Sequence, residues 1–484
     1  MKKNMIFLLA ALLVCLALNA TNVSGSQSGT WTLALSPYYI IGDVTVPAGS
    51  DLSIEPGVQI FATGNYQLIA QGTLTAIGTP ADSIRFLNGQ VSPTALWKGI
   101  RLENTSQISN IKHCYIENGT YGVNSILSPA NIQYNRFYKN QKGMQIYGIG
   151  SANPPAVTVN HNIVEYSIQN GILVSQNTNA VITENEVRYN GTSSAYYGAI
   201  QLSNQSAGGS NSPLISNNHI HHNFKQGITA WDVVGASAIN PQILNNLIEN
   251  NLTGIYLLNA SGYVADNIIR NNFILGDANS GAGVMVAGAT SLPYFERNDI
   301  HGNYTGFYLG TNAQPCLGDM SSAHPWAGGE NLIYGNIDGS SILHSVYCYS
   351  YTNSALVIKA ENNYWGTNNA LLIPNGIQDH TDDPALPTVD FMPFIANLAP
   401  SIPQNLTVTA SGNDINLDWD NVTTDILGNP ITVSFYRVYA GDQPEFDCIL
   451  ENFVGSATQS ALGLPGFAET AAKKFFKVTA VAGL

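Results

Sequence analysis

The stretch NRFYKN, Asn135 to Asn140, sets the frame in which the rest of the chain reads. The pattern Asn-x-apolar-x-x-Asn returns as NEVRYN at Asn185, NHIHHN at Asn218, NLIENN at Asn246, NIIRNN at Asn267, NDIHGN at Asn298 and NLIYGN at Asn331. NIVEYS at Asn162 keeps the first Asn and has Ser167 in place of the second, and CYIENG at Cys114 keeps only the apolar residue and the glutamate. Successive first asparagines stand 21 to 33 residues apart. A repeat with a regular centre and irregular length is a solenoid whose units stack on one continuous core, with length variation confined to loops.

Each copy reads as one coil. A Gly-apolar pair follows the first Asn, as in Gly143-Met144, Gly171-Ile172, Gly227-Ile228, Gly254-Ile255 and Gly306-Phe307, and later in Gly198-Ala199 and Gly283-Val284. A proline precedes it at Pro129, Pro155, Pro213, Pro241 and Pro293. Proline cannot donate to a ladder and separates coils, while glycine is expected to bend the backbone into the next strand. The segments between are short, apolar and alternating, a strand period with no amphipathic helix. Parallel coils lie about 4.8 Å apart, so an Asn repeated in register can bond its counterpart through the side-chain amide. Asn also tolerates the left-handed backbone that a sharp corner needs. The expectation is an inward ladder of Asn135, Asn162, Asn185, Asn218, Asn246, Asn267, Asn298 and Asn331 at one corner of a right-handed parallel β-helix. The fold class is therefore all-β, a β-helix followed by a small β-sandwich.

Met1 to Ala20 carries Lys2 and Lys3, an apolar run from Ile6 to Leu18, and then small residues, which predicts a secretory signal peptide cleaved after Ala20. Val14 before Cys15 does not suit a lipoprotein site. The chain is expected to be exported to the surface or surroundings of a bacterium, with the periplasm open, and no other segment is apolar enough to span a bilayer. A net charge of −14, or −16 once the two signal lysines leave, excludes a nucleic-acid binder. Cys316 and Cys348 flank an insertion and could pair in an oxidising compartment; Cys114 and Cys448 are expected to be buried as small apolar residues.

Residues 29–96 have a different texture, GDVTVPAGSDLSIEPGVQIF with Pro-Gly and Gly-Thr turns, and are expected to form the cap and first coils. Residues 97–398 are the body of the helix with a closing tail. The opening SPYYIIGDVTVPAG, the coil WKGIRLEN and the closing NNYWG, IQDHTDDP and VDFMPF resemble exported bacterial right-handed parallel β-helix repeat proteins, within the pectate-lyase-like superfamily. That resemblance covers about Gly29 to Phe394 and implies a fold without implying a reaction. Residues 399–484 resemble a fibronectin type III module: PSIPQNLTVTASGNDINLDWDNV, SFYRVYAG and KKFFKVTAV supply strands, with Trp419 as core anchor. That family has one more strand than this sequence shows, so the module reads as possibly incomplete.

Three residues beyond each first Asn, one outward position runs Glu117, Tyr138, Glu165, Arg188, His221, Glu249, Arg270, His301 and Tyr334. Read structurally it is a solvated ladder of cross-coil pairs, Glu165 with Arg188 and Glu249 with Arg270. Read functionally it is an acid–base strip, with Arg188, His221, Glu249 and Arg270 as the candidate catalytic residues. His219, His221 and His222 form the densest imidazole group, but no third metal ligand at a recognisable spacing joins them. Asp379, Asp382 and Asp383 could offer oxygen ligands to calcium, although a capping role in the tail competes; no other cofactor is implied. Trp231, Tyr256, Phe307 and Tyr308 follow the Gly-apolar pairs, and those facing outward would suit sugar rings.

The resemblance to the pectate-lyase-like superfamily also implies what a catalytic branch would carry. Its lyase branch would need clustered calcium-binding aspartates and an Asp-His pair, and only Asp379-His380 is present, beyond the coils. Its polygalacturonase branch would need Gly-His-Gly and Arg-Ile-Lys, which are missing. The expected role is thus a non-enzymatic binding or adhesion rod for a polysaccharide or cell-surface glycoprotein. Two other classes stay open, a polysaccharide lyase or glycoside hydrolase and a structural spacer of the envelope. Insertions at Gly191–Ala195, Asn204–Ser212, Phe273–Gly281 and Asn312–Glu330 are where specificity is expected.

Overall fold

Three strands per coil, each pairing in parallel with its counterpart in the next coil, form the framework of the described residues up to Phe394. A computed structural model describes residues 20–482 except 91, 93–94, 149–154, 177, 194–196, 205–209, 234–237, 274–280 and 468–473. The predicted signal peptide lies outside the described residues but for its last, Ala20. Chain contacts divide the molecule into two units, Met1–Phe394 and Ile395–Leu484.

In the first unit each coil has a strand after the proline, a strand between the two asparagines and a strand after the glycine. Ala130–Gln133, Arg136–Tyr138 and Lys142–Tyr147 make one such coil. The proline strands form a 14-stranded parallel sheet, and the other two sets run as parallel stacks joined at the first coils by Tyr38–Val46. The segment expected to cap the helix already lies in these sheets, as with Asp51–Ile54 and Gln67–Ala70. Alternation sends one column of each strand inward. Phe137, Val164, Val187, Ile220, Ile248, Ile269, Ile300 and Ile333 are all fully buried under the asparagine strands. At the far end Trp365, Ile373, Ile377, Leu386 and Val389 join the same core.

The asparagines build two ladders, not one. In the first, Asn246 Nδ2 donates to Asn267 Oδ1 (2.9 Å) and to the Ile215 carbonyl (2.9 Å), and its Oδ1 accepts the Asn218 backbone N–H (3.0 Å). The same arrangement runs from Asn135 through Asn331 and ends on Asn363, a member hidden in the degenerate NNYWG. The second ladder uses the last Asn of each hexapeptide: Asn190, Asn223, Asn251, Asn272, Asn303 and Asn336. Asn140 belongs to the same column, interrupted at Ser167.

Two expectations need correction. The left-handed residue at each corner is the one before the ladder Asn, whatever its type: Tyr134 (φ 57°), His161 (55°), Glu184 (57°), Asp266 (58°) and Arg297 (52°). Asn217, Asn245 and Asn362 take the same backbone, as expected of Asn, and the neighbouring amide satisfies the bend well enough to admit other residues too. The glycines of the Gly-apolar pairs, in turn, are not bends. A Cβ on Gly143 would meet the Gly171 carbonyl at 2.4 Å and Val164 at 2.5 Å, so glycine is there to let coils approach.

The second unit has two three-stranded antiparallel sheets, Thr407–Ser411, Asp414–Asp418 and Ala461–Leu464, and Phe453–Ala457, Val433–Gly441 and Phe475–Ala482. They share a core of Leu417, Trp419, Tyr436, Val438 and Val478, in which Trp419 meets Tyr436 edge-on at 5.3 Å. Cys114 and Cys348 are buried, and burial pushes the Cys348 thiol up to about 12. Cys448 is exposed, contrary to expectation, because it sits outside the strands of this small unit. Cys316 and Cys348 are free thiols on different sheets, Cys348 turned into the core and Cys316 half-exposed on a proline strand. Among the described residues no helix is long and apolar enough to cross a membrane.

Candidate functional site

Register places the whole outward column together. Glu117, Tyr138, Glu165, Arg188, His221, Glu249, Arg270, His301 and Tyr334 are Cα partners in successive coils. The position two residues earlier on each strand faces the same way and completes the network, because outward side chains alternate. Arg136 and Glu186 come from that second column, and reading a single column misses them.

The polar chain runs across six coils. Arg136 Nε and Arg188 Nε hold the two oxygens of Glu165 (2.6 and 2.8 Å), and Glu165 is buried between them. Arg188 also reaches Glu186 (2.5 Å), which meets His221 Nε2 at 3.2 Å. His221 stacks on His219 with ring centroids 3.9 Å apart, and its Nδ1 lies 2.8 Å from Nδ1 of His222. His219 Nε2 meets Glu249 Oε1 (3.0 Å), and Arg270 Nε donates to the other Glu249 oxygen (2.8 Å). His301 turns aside to Asp299 (2.8 Å) and stacks on Tyr334.

Electrostatics follow from these partners. Burial holds His221 below the usual imidazole range, His219 adds repulsion, and Glu186 opposes without reversing it. His221 is therefore neutral at pH 7. Burial pulls Glu249 upward, but its bonds from Arg270 and His219 outweigh that and hold the carboxylate below its ordinary value. It is an anion and a weakened base. In this column the candidate carboxylate already has its proton-side partners, so its local chemistry is that of an ion-pair ladder with an imidazole pair at its centre.

The other candidates lie elsewhere. Asp379 is buried, and its oxygens accept the backbone N–H groups of Thr381 (2.8 Å) and Val389 (2.9 Å). Asp382 accepts from the Asp379 N–H (3.2 Å) and Asp383 from the Ala385 N–H (2.9 Å). These carboxylates shape the closing turns. Among the described residues no group of three or more His, Cys, Asp or Glu side chains is arranged to hold a metal ion. Phe307 is core, whereas Trp231, Tyr256 and Tyr308 face outward. Aromatic side chains also line the corners beside the column. Tyr134 stacks on His161 (4.6 Å) and Tyr166 on Tyr189 (5.0 Å), with Tyr134 and Tyr166 exposed.

A family model described as a right-handed beta helix region matches residues 98–274. The first unit is a right-handed parallel β-helix. No curated protein matches the chain in sequence. Among solved structures, this β-helix chain is similar to the periplasmic alginate epimerase AlgG (13% identity, 77% of this chain and 85% of that one, TM-score 0.34). It is also similar to the Dettilon tailspike protein (14%, 95% and 87%, TM-score 0.39). A third is a double mutant of the tailspike protein of the E. coli bacteriophage HK620 (11%, 91% and 86%, TM-score 0.21).

Proposed function

We propose that the chain is an exported, non-enzymatic rod whose outer strands and corners bind glycans, carrying a fibronectin type III-like β-sandwich as its C-terminal module. The observation that carries this reading is the row of exposed rings at the corners, Tyr134 with His161 and Tyr166 with Tyr189, fixed at the spacing of the coils. Rings held rigidly on stacked strands give a sugar an apolar platform without loss of side-chain freedom on binding. The ion-pair ladder between these corners favours binding over turnover. Glu165 is committed to two arginines, Glu249 is held as an anion, and His221 is tied to two other imidazoles and Glu186.

The test is incubation of the purified chain with acidic and neutral polysaccharides, with and without calcium, following reducing ends, unsaturated-uronate absorbance and retention on immobilised glycan. Retention without product is expected. New chain ends would make the protein a lyase or hydrolase and send attention to Arg188, His221, Glu249 and Arg270. No retention and no product would leave a structural spacer.

A further inference from the structure

The segment 319–330 leaves the coil after Cys316–Gly318 and returns before Leu332–Tyr334. It folds back over the two preceding coils. The Asp319 N–H donates to the Ala327 carbonyl (2.8 Å) and the Ala327 N–H to the His324 carbonyl (3.1 Å), so the segment closes on itself. The Met320 N–H reaches Glu361 (2.8 Å), the Arg297 N–H the Gly329 carbonyl (2.8 Å) and the Asn362 amide the Gly328 carbonyl (2.8 Å), which pins it to the rod. A Cβ on Gly328 would lie 2.4 Å from Glu296 Oε1, so a larger residue there would displace that carboxylate.

Its tip carries His324-Pro325-Trp326 onto two tyrosines that are register partners in successive coils, Tyr263 and Tyr294. Trp326 stacks on Tyr263 (centroids 4.7 Å, planes 13° apart) and His324 on Tyr294 (4.2 Å, 8°). The Tyr263 hydroxyl is held by Glu296 and by Arg297 (3.1 Å), and Arg297 is bidentate on Asp266 (2.8 and 3.0 Å). The platform is thus fixed from beneath before any ligand arrives. Four of the six tryptophans, Trp31, Trp97, Trp365 and Trp419, are core residues; Trp326 and Trp231 reach solvent. Among the described residues the Trp326 indole N–H has no partner.

We infer that Trp326, seated on Tyr263, is a subsite for a neutral hexose unit of a polysaccharide. This rests on the glycan-binding reading and names its ligand class. A pyranose stacks its C–H face on an indole and turns its hydroxyls to the polar rim, here the free indole N–H and Arg297. One guanidinium faced by two carboxylates, Asp266 and Glu296, leaves that rim negative, in a chain of net charge −14, and disfavours a uronate.

Titration of the full chain with neutral hexasaccharides of glucose, galactose and mannose, and with hexaguluronate, tests it by tryptophan fluorescence and calorimetry. A neutral hexasaccharide should change the emission of the wild type, and Trp326→Ala should weaken its binding about tenfold. Trp326→Phe, which keeps a ring, should retain binding and lose the spectral change; it also guards against a local collapse in the alanine variant. Unaltered affinity in Trp326→Ala would overturn the subsite and leave glycan binding standing elsewhere on the rod. Preference for hexaguluronate would overturn the ligand class. No binding of any sugar by the wild type would end both the subsite and the reading beneath it.

Discussion

The inner and outer sides of the asparagine strands share one backbone and one register, yet they obey different rules. Inside, nearly every coil repeats the same residue, because an amide that both donates to the next coil and accepts from the one before can be relayed only by another amide. Outside, Glu165, Arg188, His221, Glu249 and Arg270 differ from coil to coil, since each answers only its neighbours. Burial makes the difference. An unpaired group inside has no water to turn to, whereas most groups on the outer column do.

Four substitutions or conditions would break or sharpen this contrast. Asn246→Ala removes a donor and an acceptor in mid-ladder and strands the Asn218 N–H and Ile215 carbonyl. A loss of about 3 kcal/mol or more is expected from urea unfolding, since each stranded buried group costs about 1–3 kcal/mol. An unchanged midpoint would mean that the ladder carries no stability. Glu165→Gln tests the one outer carboxylate that is itself buried, and with two arginines left facing a neutral amide it should cost about 1–2 kcal/mol.

The third is acid. The charged and titratable groups around His221 are Glu186, His219, His222 and Tyr189, with Arg188 and Glu249 as its register partners in the adjacent coils. Its folded pKa is lowered, so the stability that it supplies is present above the unfolded imidazole value of about 6.5 and is lost as pH falls through the lower folded one. The melting temperature should drop between pH 7 and 5 in the wild type and drop less in His221→Gln; equal slopes would refute it. Glu249, also lowered, keeps its contribution until below about pH 4.5. Arg270→Ala comes last. Its side chain is more than a third exposed, and thermal melts should register about 0.5 kcal/mol or less.

Much of this was legible in the sequence. The first ladder and the outward column follow from the hexapeptide, since strand alternation fixes both faces once the frame is set. The second ladder stands in the same motif, but its asparagines serve there only to frame the repeat, and nothing in their spacing shows that they bond from coil to coil. Glu186 was hidden because it lies one residue after the Asn rather than three. The corner residues carry a partial signal, since Asn217, Asn245 and Asn362 suit the left-handed backbone while Tyr134, Glu184 and Arg297 share nothing else with them. The insertion Asn312–Glu330 is legible as a place for specificity, but its pairing of Trp326 with Tyr263 is not, because a segment of irregular length brings together residues that no periodicity relates. Burial of Cys448 was expected from residue type alone, which says nothing about where in a small unit a residue falls.

The direction of the amide bonds has a last consequence. The amide-to-amide bonds all run one way, each ladder side chain from Asn135 to Asn331 and from Asn190 to Asn303 donating to its counterpart in the later coil, so the rod is polar like an arrow. Cut at any point, one stump presents hungry donors and the other an empty acceptor. The first series closes at Asn363, with the amide turned onto the carbonyls of Leu317, Ala360 and Glu361, and the second at Asn336, whose amide meets the Ile300 carbonyl. A rod of this kind can be lengthened or shortened by whole coils in its interior, because each junction looks the same, but its terminus has to be made to measure.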